Sequence, residues 1–222
     1  TIWFVDGSSL EGNLLVKLKT ARPVTFPTTG IIPWDWFGVD IKKESQGTSR
    51  ATDSIQYKLI SELKALGKYC LIFDDDGSGE VADVIAVQED ATNNKLLFEL
   101  YHCKYSGAPQ AGARVGDLYE VCGQAEKCIK WASDAKFMLE RLMKRESDRI
   151  GSGRPTRYEV GNNKLMFTLK NKLKVYSSAF SVYIVQPGVD SVQITPAMHQ
   201  VLCSAEAYLK DTYAIPLTLI CS

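Results

Sequence analysis

The chain has 222 residues, of which 45% are hydrophobic, so it is long and apolar enough to bury a sizeable core, and we expect one main core. Its 26 Lys and Arg residues balance its 26 Asp and Glu residues, which excludes a strong overall positive field, so contact with a polyanion would need local basic patches. The sequence contains no apolar run long enough to span a bilayer and no signal-peptide pattern. We therefore expect a cytoplasmic protein with no membrane partner, and a first residue other than Met suggests a fragment of a longer polypeptide.

The six cysteines predict buried free thiols rather than a structural zinc site. They form no CxxC pair and are accompanied by only two histidines, so the usual spacing of zinc ligands is missing. Several lie inside apolar runs such as KYCLIF and LTLICS, which favours burial in a reducing compartment. The cysteines are Cys70, Cys103, Cys122, Cys128, Cys203 and Cys221.

The first half of the chain predicts a β-rich start, one helix and three strands. Residues 1–45 alternate aromatic and apolar residues with Gly, Pro and Thr, and we interpret them as a β-rich N-terminal extension to a main domain of residues 46–222. The segment TDSIQYKLISELKALG has an apolar stripe at helical spacing and is predicted to end at Gly67. KYCLIF, VADVIAVQ and KLLFELYHCKYS follow as three strands, joined by the acidic turn DDDGSGE and by the hairpin connection ATNN.

The second half adds helices and further strands. The run DLYEVCGQAEKCIKWASDAKFMLERLMKR has apolar residues at helical spacing and a basic end, which predicts one long helix docked on the sheet. RESDRIGSGRPTRYEVGNN is interpreted as a surface loop, YSSAFSVYIVQP as a strand, MHQVLCSAEAYLKDTY as a helix and IPLTLICS as a closing strand. This order of elements predicts an α/β fold with a mixed central sheet flanked by helices.

Polar side chains interrupt two of the three central strands. With a period of two, His102 and Lys104 point to one face of KLLFELYHCKYS and Glu99 points to the other. In VADVIAVQ, Asp83 is an isolated carboxylate whose burial is costly without a partner or a metal. If these strands pair, Asp83 can lie beside His102 and Lys104. A carboxylate, a second ligand and a lysine so arranged can bind a divalent cation and orient a water for phosphodiester hydrolysis.

The helix, KYCLIFDDDGSGEVADVIAVQ and KLLFELYHCKYS together resemble the core of the PD-(D/E)XK nuclease superfamily, especially its Mrr-like and Holliday-junction-resolvase-like branches. The resemblance covers roughly residues 51–145 and implies a restriction-endonuclease-like fold and a site that binds Mg²⁺. It implies that Asp83 is the first metal ligand, that the backbone carbonyl of Cys103 completes the metal site, and that Lys104 serves the attacking water. His102 occupies the position of the second, acidic ligand. Because imidazole is a poor ligand for Mg²⁺, this departure makes Mn²⁺ an alternative cofactor.

Further residues have weaker assignments. Gln124 resembles the glutamine that braces the site in RecB-like nucleases, or is an ordinary amide on a helix surface. Lys104 could be a solvated lysine at a strand end, and His102 a structural histidine. Gln56 follows Asp53 at the spacing of a capping box, which explains it better than a role in the site. The reserve metal ligands, which a loop or a bulge could bring in, are Asp76, Glu80 and Glu99.

Basic residues cluster in two stretches that could contact DNA, although a solvated surface explains such clusters equally well. The predicted contact residues are Arg145, Arg149, Arg154, Arg157, Lys172 and Lys174, with Lys144, Lys164 and Lys170 beside them. The chain also resembles nuclease-like domains that are attached to large bacterial superfamily 2 helicases. This resemblance implies a helicase or ATPase domain of the same parent chain as a second partner.

The favoured hypothesis is a metal-dependent nuclease domain that cuts DNA in preference to RNA, as a module of a larger restriction, defence or helicase-linked protein. The first alternative is a catalytically inactive nuclease fold that binds nucleic acid or docks to its parent protein, and His102 is the residue that favours it. A second alternative makes residues 1–45 the functional surface and the α/β core a scaffold.

Overall fold

In the computed structural model of this protein, the described residues are 1–4, 8–16 and 25–222. The parts of the predicted N-terminal extension at residues 5–7 and 17–24 lie outside them. The strands of the described residues are β1 (Ile2–Trp3), β2 (Ser9–Glu11), β3 (Leu14–Val16), β4 (Ile31–Pro33), β5 (Leu71–Asp74), β6 (Val84–Asp90), β7 (Lys95–Cys103), β8 (Tyr158–Val160), β9 (Ser177–Val185) and β10 (Leu217–Cys221). The α-helices are α1 (Ile55–Leu66), α2 (Gly116–Cys128), α3 (Ala135–Gly151), α4 (Asn163–Lys172) and α5 (Pro196–Tyr213).

The main sheet has seven strands in the order β4-β10-β9-β7-β6-β5-β8. The strands β7, β6, β5 and β8 pair antiparallel, whereas β9 runs parallel to β7, and β10 runs parallel to both β9 and β4. The predicted α/β fold with a mixed sheet flanked by helices is therefore confirmed, as is the helix followed by three consecutive strands. A smaller antiparallel sheet joins β1, β2 and β3.

The two faces of the main sheet are buried in two apolar clusters, and β7 shows the predicted alternation between them. Phe98 and Leu100 belong to the cluster that includes residues of α2, α3 and α5, while Tyr101 and Cys103 belong to the cluster that includes residues of α1. Successive side chains of a strand point to opposite faces, so one strand contributes to both layers of the core.

Helix α1 ends where the sequence predicts and begins one residue away from the expected cap. Gly67 has the left-handed backbone (φ 63°) that favours glycine after a helix. At the other end the Ser54 hydroxyl accepts the N–H of Tyr57 at 3.1 Å, so Ser54 caps the helix. Asp53 instead pairs with Lys43, and the predicted capping box of Asp53 and Gln56 is wrong.

The single long helix predicted after the third strand is also wrong. The chain forms α2, a 3₁₀ turn at Ile129–Trp131, and then α3, which begins where the Asp134 carboxylate accepts the N–H of Phe137 at 2.8 Å. The predicted surface loop is shorter than expected, because α3 continues to Gly151 and Tyr158–Val160 forms the edge strand β8. Helix α4 was not predicted.

Part of the predicted N-terminal extension joins the main sheet. Strand β4 pairs with β10, Phe26 is fully buried in the core, and the Trp36 indole donates to the carbonyl of Cys221 at 3.0 Å. The Nδ1 atom of His199 on α5 accepts the N–H of Phe26 at 3.1 Å. The proposed boundary at residue 45 therefore does not coincide with a break in packing.

Replacing Phe98 tests the apolar core that packs against the central strand β7. Phe98 is fully buried and its ring stacks on Phe180 at a centroid distance of 4.9 Å. We expect Phe98→Ala to lower the free energy of unfolding by about 3–5 kcal/mol, because it leaves a cavity. Phe37→Ala is the matched control, since Phe37 is 93% exposed. The control should change stability by less than about 0.5 kcal/mol in the same denaturant titration, and equal losses would contradict this core.

Candidate metal centre and its two cavities

The acidic turn between β5 and β6 brings three carboxylates together. Asp76, Glu80 and Asp83 each place a carboxylate oxygen within 4.8 Å of the others. Gly77 and Gly79 have positive φ angles of 120° and 78°, and this backbone conformation lets the turn fold back so tightly. Across residues 1–4, 8–16 and 25–222, this is the one cluster of at least three His, Cys, Asp or Glu residues with metal-ligand spacing.

Each of the three carboxylates is held by a hydrogen bond. Asp83 is 3% exposed and accepts the backbone N–H of Cys103 at 2.8 Å, which ties the start of β6 to the end of β7. Glu80 accepts the N–H of Gly77 at 2.8 Å, and Asp76 accepts the hydroxyl of Ser45 at 2.5 Å. Contacts within the protein therefore hold the three carboxylates close to one another.

Burial and mutual repulsion make this cluster costly in its ionised form. Burial raises the pKa of Asp83 well above its usual range, and the charge of Glu80 raises it further. Burial also raises the pKa of Glu80, with additional contributions from Asp76 and Asp75. A divalent cation would relieve both effects, and an all-oxygen ligand set suits Mg²⁺, Mn²⁺ or Ca²⁺. The residues present thus fit a hard divalent cation.

Cys103 contacts Asp83 of the acidic cluster through its backbone. Its N–H points to Asp83, and within a strand the N–H and C=O of one residue point to the same side, so its carbonyl is directed to the same edge. The thiol is buried, and burial raises its pKa well above the usual value, with the charge of Asp83 adding to the effect. A neutral thiol is a poor ligand for a hard cation. The carbonyl of Cys103 as a metal ligand stays a prediction.

His102 and Gln124 meet in a cavity of about 130 Å³ that Glu80 also lines. His102 is 2% exposed, and among the described residues neither of its ring nitrogens has a hydrogen-bond partner. The buried Oε1 atom of Gln124 also lacks a partner there. Burial lowers the pKa of His102 to about 4, so the ring is neutral and offers one donor and one acceptor. His102 lies outside the group of three carboxylates, and its predicted role as a metal ligand stays a prediction.

Lys104 is fixed by two carboxylates rather than solvated. Its ammonium group lies 2.9 Å from Glu120 and 3.4 Å from Glu44, and only 12% of its side-chain surface is exposed. Burial acts to lower its pKa, but the hydrogen bond to Glu120 and the charge of Glu44 outweigh it, so the pKa of Lys104 is raised. The charge of Glu44 also raises the pKa of Asp83. Glu44 therefore interacts electrostatically both with Lys104 and with Asp83 of the acidic cluster.

Four of the predicted DNA-contacting residues surround a second cavity, of about 290 Å³, which Asp76 also lines. These residues are Arg145, Arg149, Arg154 and Arg157. Two other predicted contacts lie elsewhere: Lys172 pairs with Glu89 near the end of β6 that is remote from Asp83, and Lys174 follows it in the chain. Asp76 and Glu80 thus each line a different cavity, and the acidic cluster lies between the two.

Sequence reasoning missed the residues that hold the acidic turn in place. Asp75 is fully buried and forms an ion pair with Arg145. Asp74 accepts hydrogen bonds from Gln46 at 3.0 Å and from Gln56 at 3.4 Å. The run of three aspartates was the available signal, but its individual partners are remote in sequence.

One reserve ligand is engaged elsewhere. Glu99 faces the other side of the sheet, as its position in the strand predicts, and accepts the hydroxyls of Tyr69 and Tyr101 at 2.5 Å each. Lys68 lies 3.1 Å from the same carboxylate. Glu99 therefore belongs to a buried tyrosine network and not to the acidic cluster.

Comparison with protein-family models, with curated proteins and with solved structures finds no match for this chain. In the part of the chain that the structure describes, no helix combines the length and the apolar character needed to cross a membrane.

Removing one charge from the cluster should stabilise the protein and abolish its response to cations. Asp83→Asn keeps an oxygen that can accept the N–H of Cys103 but removes the buried charge, so we expect a higher melting temperature in EDTA. Mn²⁺ should raise the melting temperature of the original protein and not of the variant. Asp211→Asn, at an exposed position of α5, is the matched control and should keep the response to Mn²⁺. An equal Mn²⁺ response in all three proteins would contradict the site.

The cation response should also depend on pH. The pKa values of Asp83 and Glu80 are raised in the folded state, so the metal-free fold binds more protons than the unfolded chain over this range. Its stability should therefore fall as the pH rises from the ordinary carboxyl pKa through the raised values. Cation binding needs the ionised carboxylates, so the Mn²⁺-induced rise in melting temperature should grow from mildly acidic to neutral pH. A response that is constant with pH would contradict ligation by these carboxylates.

Proposed function

We propose that this protein is a metal-dependent nuclease domain of the PD-(D/E)XK type, which hydrolyses phosphodiester bonds with Mg²⁺ or Mn²⁺ as its cofactor. One observation carries the proposal: the convergent carboxylates of Asp76, Glu80 and Asp83 adjoin a cavity lined by the buried His102 and by Gln124, and the ring nitrogens of His102 and the Oε1 atom of Gln124 have no hydrogen-bond partner among the described residues. Buried polar atoms are nearly always paired, so three such atoms without partners in the described part of the chain, beside a metal-type cluster, support a place where water or substrate binds.

The topology supports the proposed restriction-endonuclease-like fold. Helix α1 precedes the antiparallel strands β5, β6 and β7, and the chain continues through α2, α3, the edge strand β8 and α4 to β9, which runs parallel to β7. Because β6 and β7 are antiparallel, Asp83 before β6 lies beside the end of β7. The HCK sequence at residues 102–104 is at that end. The family motif would therefore be assembled at a single edge of the sheet.

The chain's own residues suggest how the reaction would be supported. Asp76, Glu80 and Asp83 would hold the cation, which when bound would supply electrostatic stabilisation of the phosphate and acidify a water. Neutral His102 can donate one hydrogen bond and accept another, so it can orient a water or a phosphate oxygen in the smaller cavity. The Oε1 atom of Gln124, which also lines this cavity, can accept a hydrogen bond from the same water. Lys104 carries positive charge at the end of β7.

The rival proposal is a catalytically inactive nuclease fold that binds nucleic acid or docks to its parent protein. The observation that favours it is the pairing of Lys104 with Glu44 and Glu120, which offsets the positive charge that the proposed reaction needs. Under either proposal DNA is the favoured partner, a helicase or ATPase domain of the same parent chain is a second one, and the cytoplasm is the expected compartment.

Cleavage of supercoiled plasmid and of linear DNA, each with Mg²⁺ or Mn²⁺, tests the proposal. We expect metal-dependent nicking by the original protein and a loss of at least about a hundredfold in rate for Asp83→Asn and for Lys104→Met. His102→Gln retains a donor and an acceptor and should reduce the rate less than His102→Leu. Running the same series on RNA of matched sequence tests the preference for DNA.

Asp211→Asn is the control for the acidic substitution and Lys136→Gln, at an exposed position of α3, for the lysine substitution, and both should cleave at the original rate. If DNA binds but neither metal supports cleavage, the inactive binding fold is the correct description. Cleavage that persists in Asp83→Asn would place the reaction outside the acidic cluster.

A further inference from the structure

We propose that the cavity lined by Arg145, Arg149, Arg154 and Arg157 is a dedicated subsite for one phosphoryl group, separate from the phosphate that is cleaved. The cavity measures about 290 Å³ and adjoins the acidic cluster through Asp76. The inference rests on the proposed function in one respect only, namely that the phosphoryl group belongs to a nucleic-acid strand. The binding of an anion by this cavity is argued from its own residues.

Arg157 provides the first argument. Its side chain is 8% exposed, and its Nη1 donates to the carbonyls of Asp74 and Asp76, at 3.0 Å each. Its Nε is buried and has no hydrogen-bond partner among the described residues. A buried guanidinium N–H without an acceptor carries a desolvation cost, and because Arg157 lines the cavity, an anion bound there would face its guanidinium group.

The other arginines are positioned by contacts that leave the cavity positive. Arg145 pairs with Asp75 and donates to the backbone carbonyls of the acidic turn, and the Nε of Arg149 donates to the carbonyl of Pro155. Arg154 is exposed and donates to the hydroxyl of Ser152 at 3.0 Å. Three of the four guanidinium groups are therefore oriented by backbone acceptors, which suits pre-organised binding of an anion.

The charge balance favours an anion. Four guanidinium groups line the cavity against two carboxylates, Asp76 and Asp148, and the buried Asp75 offsets Arg145, so positive charge remains in excess. Arg145, Arg149, Arg154 and Arg157 carry like charge and line the same cavity, so their guanidinium groups repel one another. A bound phosphoryl group would offset that repulsion, and the planar guanidinium fork matches its oxygens.

The position of the cavity gives the subsite its role. Asp76 lines this cavity, whereas Glu80 lines the cavity of His102 and Gln124, so the acidic cluster lies between the two cavities. A strand whose scissile phosphate lies at the cluster would place another of its phosphates among the arginines. That group is either a terminal phosphate of the strand or an internal phosphodiester, and both present the same oxygens to the guanidinium groups.

Calorimetric titration of the full chain in EDTA tests the subsite without cleavage or metal. The probes are inorganic phosphate and one short oligonucleotide prepared with a 5′-phosphate or a 5′-hydroxyl. We expect Arg154→Gln, a change at an exposed position that should not disturb folding, to weaken phosphate binding about tenfold. Lys136→Gln removes the same charge from an exposed position on α3 outside the cavity and should leave binding unchanged.

A second variant acts in the opposite direction. Asp148→Asn removes a carboxylate from the cavity lining and should tighten phosphate binding about two- to fivefold. A preference for the 5′-phosphorylated oligonucleotide would identify a terminal phosphate as the ligand, and equal binding of both oligonucleotides an internal one. Equal phosphate affinity in the original protein, Arg154→Gln and Asp148→Asn would overturn the subsite.

The two proposals fail in distinguishable ways. If Arg154→Gln and Asp148→Asn change phosphate binding but no metal-dependent cleavage occurs, the subsite is supported and the nuclease proposal is contradicted. If cleavage depends on Asp83 but not on Arg154, and neither cavity substitution changes phosphate affinity, the nuclease proposal is supported and the subsite is contradicted.

Discussion

The hydrogen bond from the N–H of Cys103 to the buried carboxylate of Asp83 is the interaction on which the candidate site depends. It joins the start of β6 to the end of β7 and holds a charged group where burial disfavours charge. The acidic turn then delivers Asp76 and Glu80 to the same place. Within the described residues none of these three carboxylates forms an ion pair, whereas the neighbouring Asp75 pairs with Arg145. The turn therefore neutralises one aspartate and leaves three acidic groups together.

The unneutralised cluster is understandable because the turn is anchored on both faces of the sheet. On the side of α1, Gln46 and Gln56 donate to Asp74, and on the side of α3, Arg145 holds Asp75. These contacts supply hydrogen bonds that oppose the repulsion among the remaining carboxylates. A folded protein that keeps such a cluster gives up stability at that point, which is typical of sites that need pre-organised charge. His102, which is buried and has no hydrogen-bond partner in the described part of the chain, is a second cost of the same kind.

Local patterns in the sequence predicted the features that depend on local physics. The stripe of α1, its end at Gly67 and the alternation of β7 follow from periodicity and backbone preference, so they required no knowledge of distant contacts. The break between α2 and α3 depends on the cap formed by Asp134, a signal that the continuous apolar spacing concealed. Which acidic residues converge depends on the path of the turn. That path is fixed by partners such as Arg145, some 70 positions away in the chain, and no spacing rule reports them.

The same reasoning adds residues of the turn to those that the motif names. Reading KLLFELYHCKYS by position makes His102 a substitute for an acidic ligand. In the structure Glu80 and Asp76, supplied by the turn, already give Asp83 two acidic neighbours. His102 is then free to remain neutral in the adjoining cavity with Gln124. An acidic residue at position 102 would add a further carboxylate to a region where Asp83 and Glu80 already ionise with difficulty. A neutral imidazole avoids that repulsion while keeping a donor and an acceptor next to the cluster, so histidine at this position is compatible with an acidic site whose ligands come from the turn.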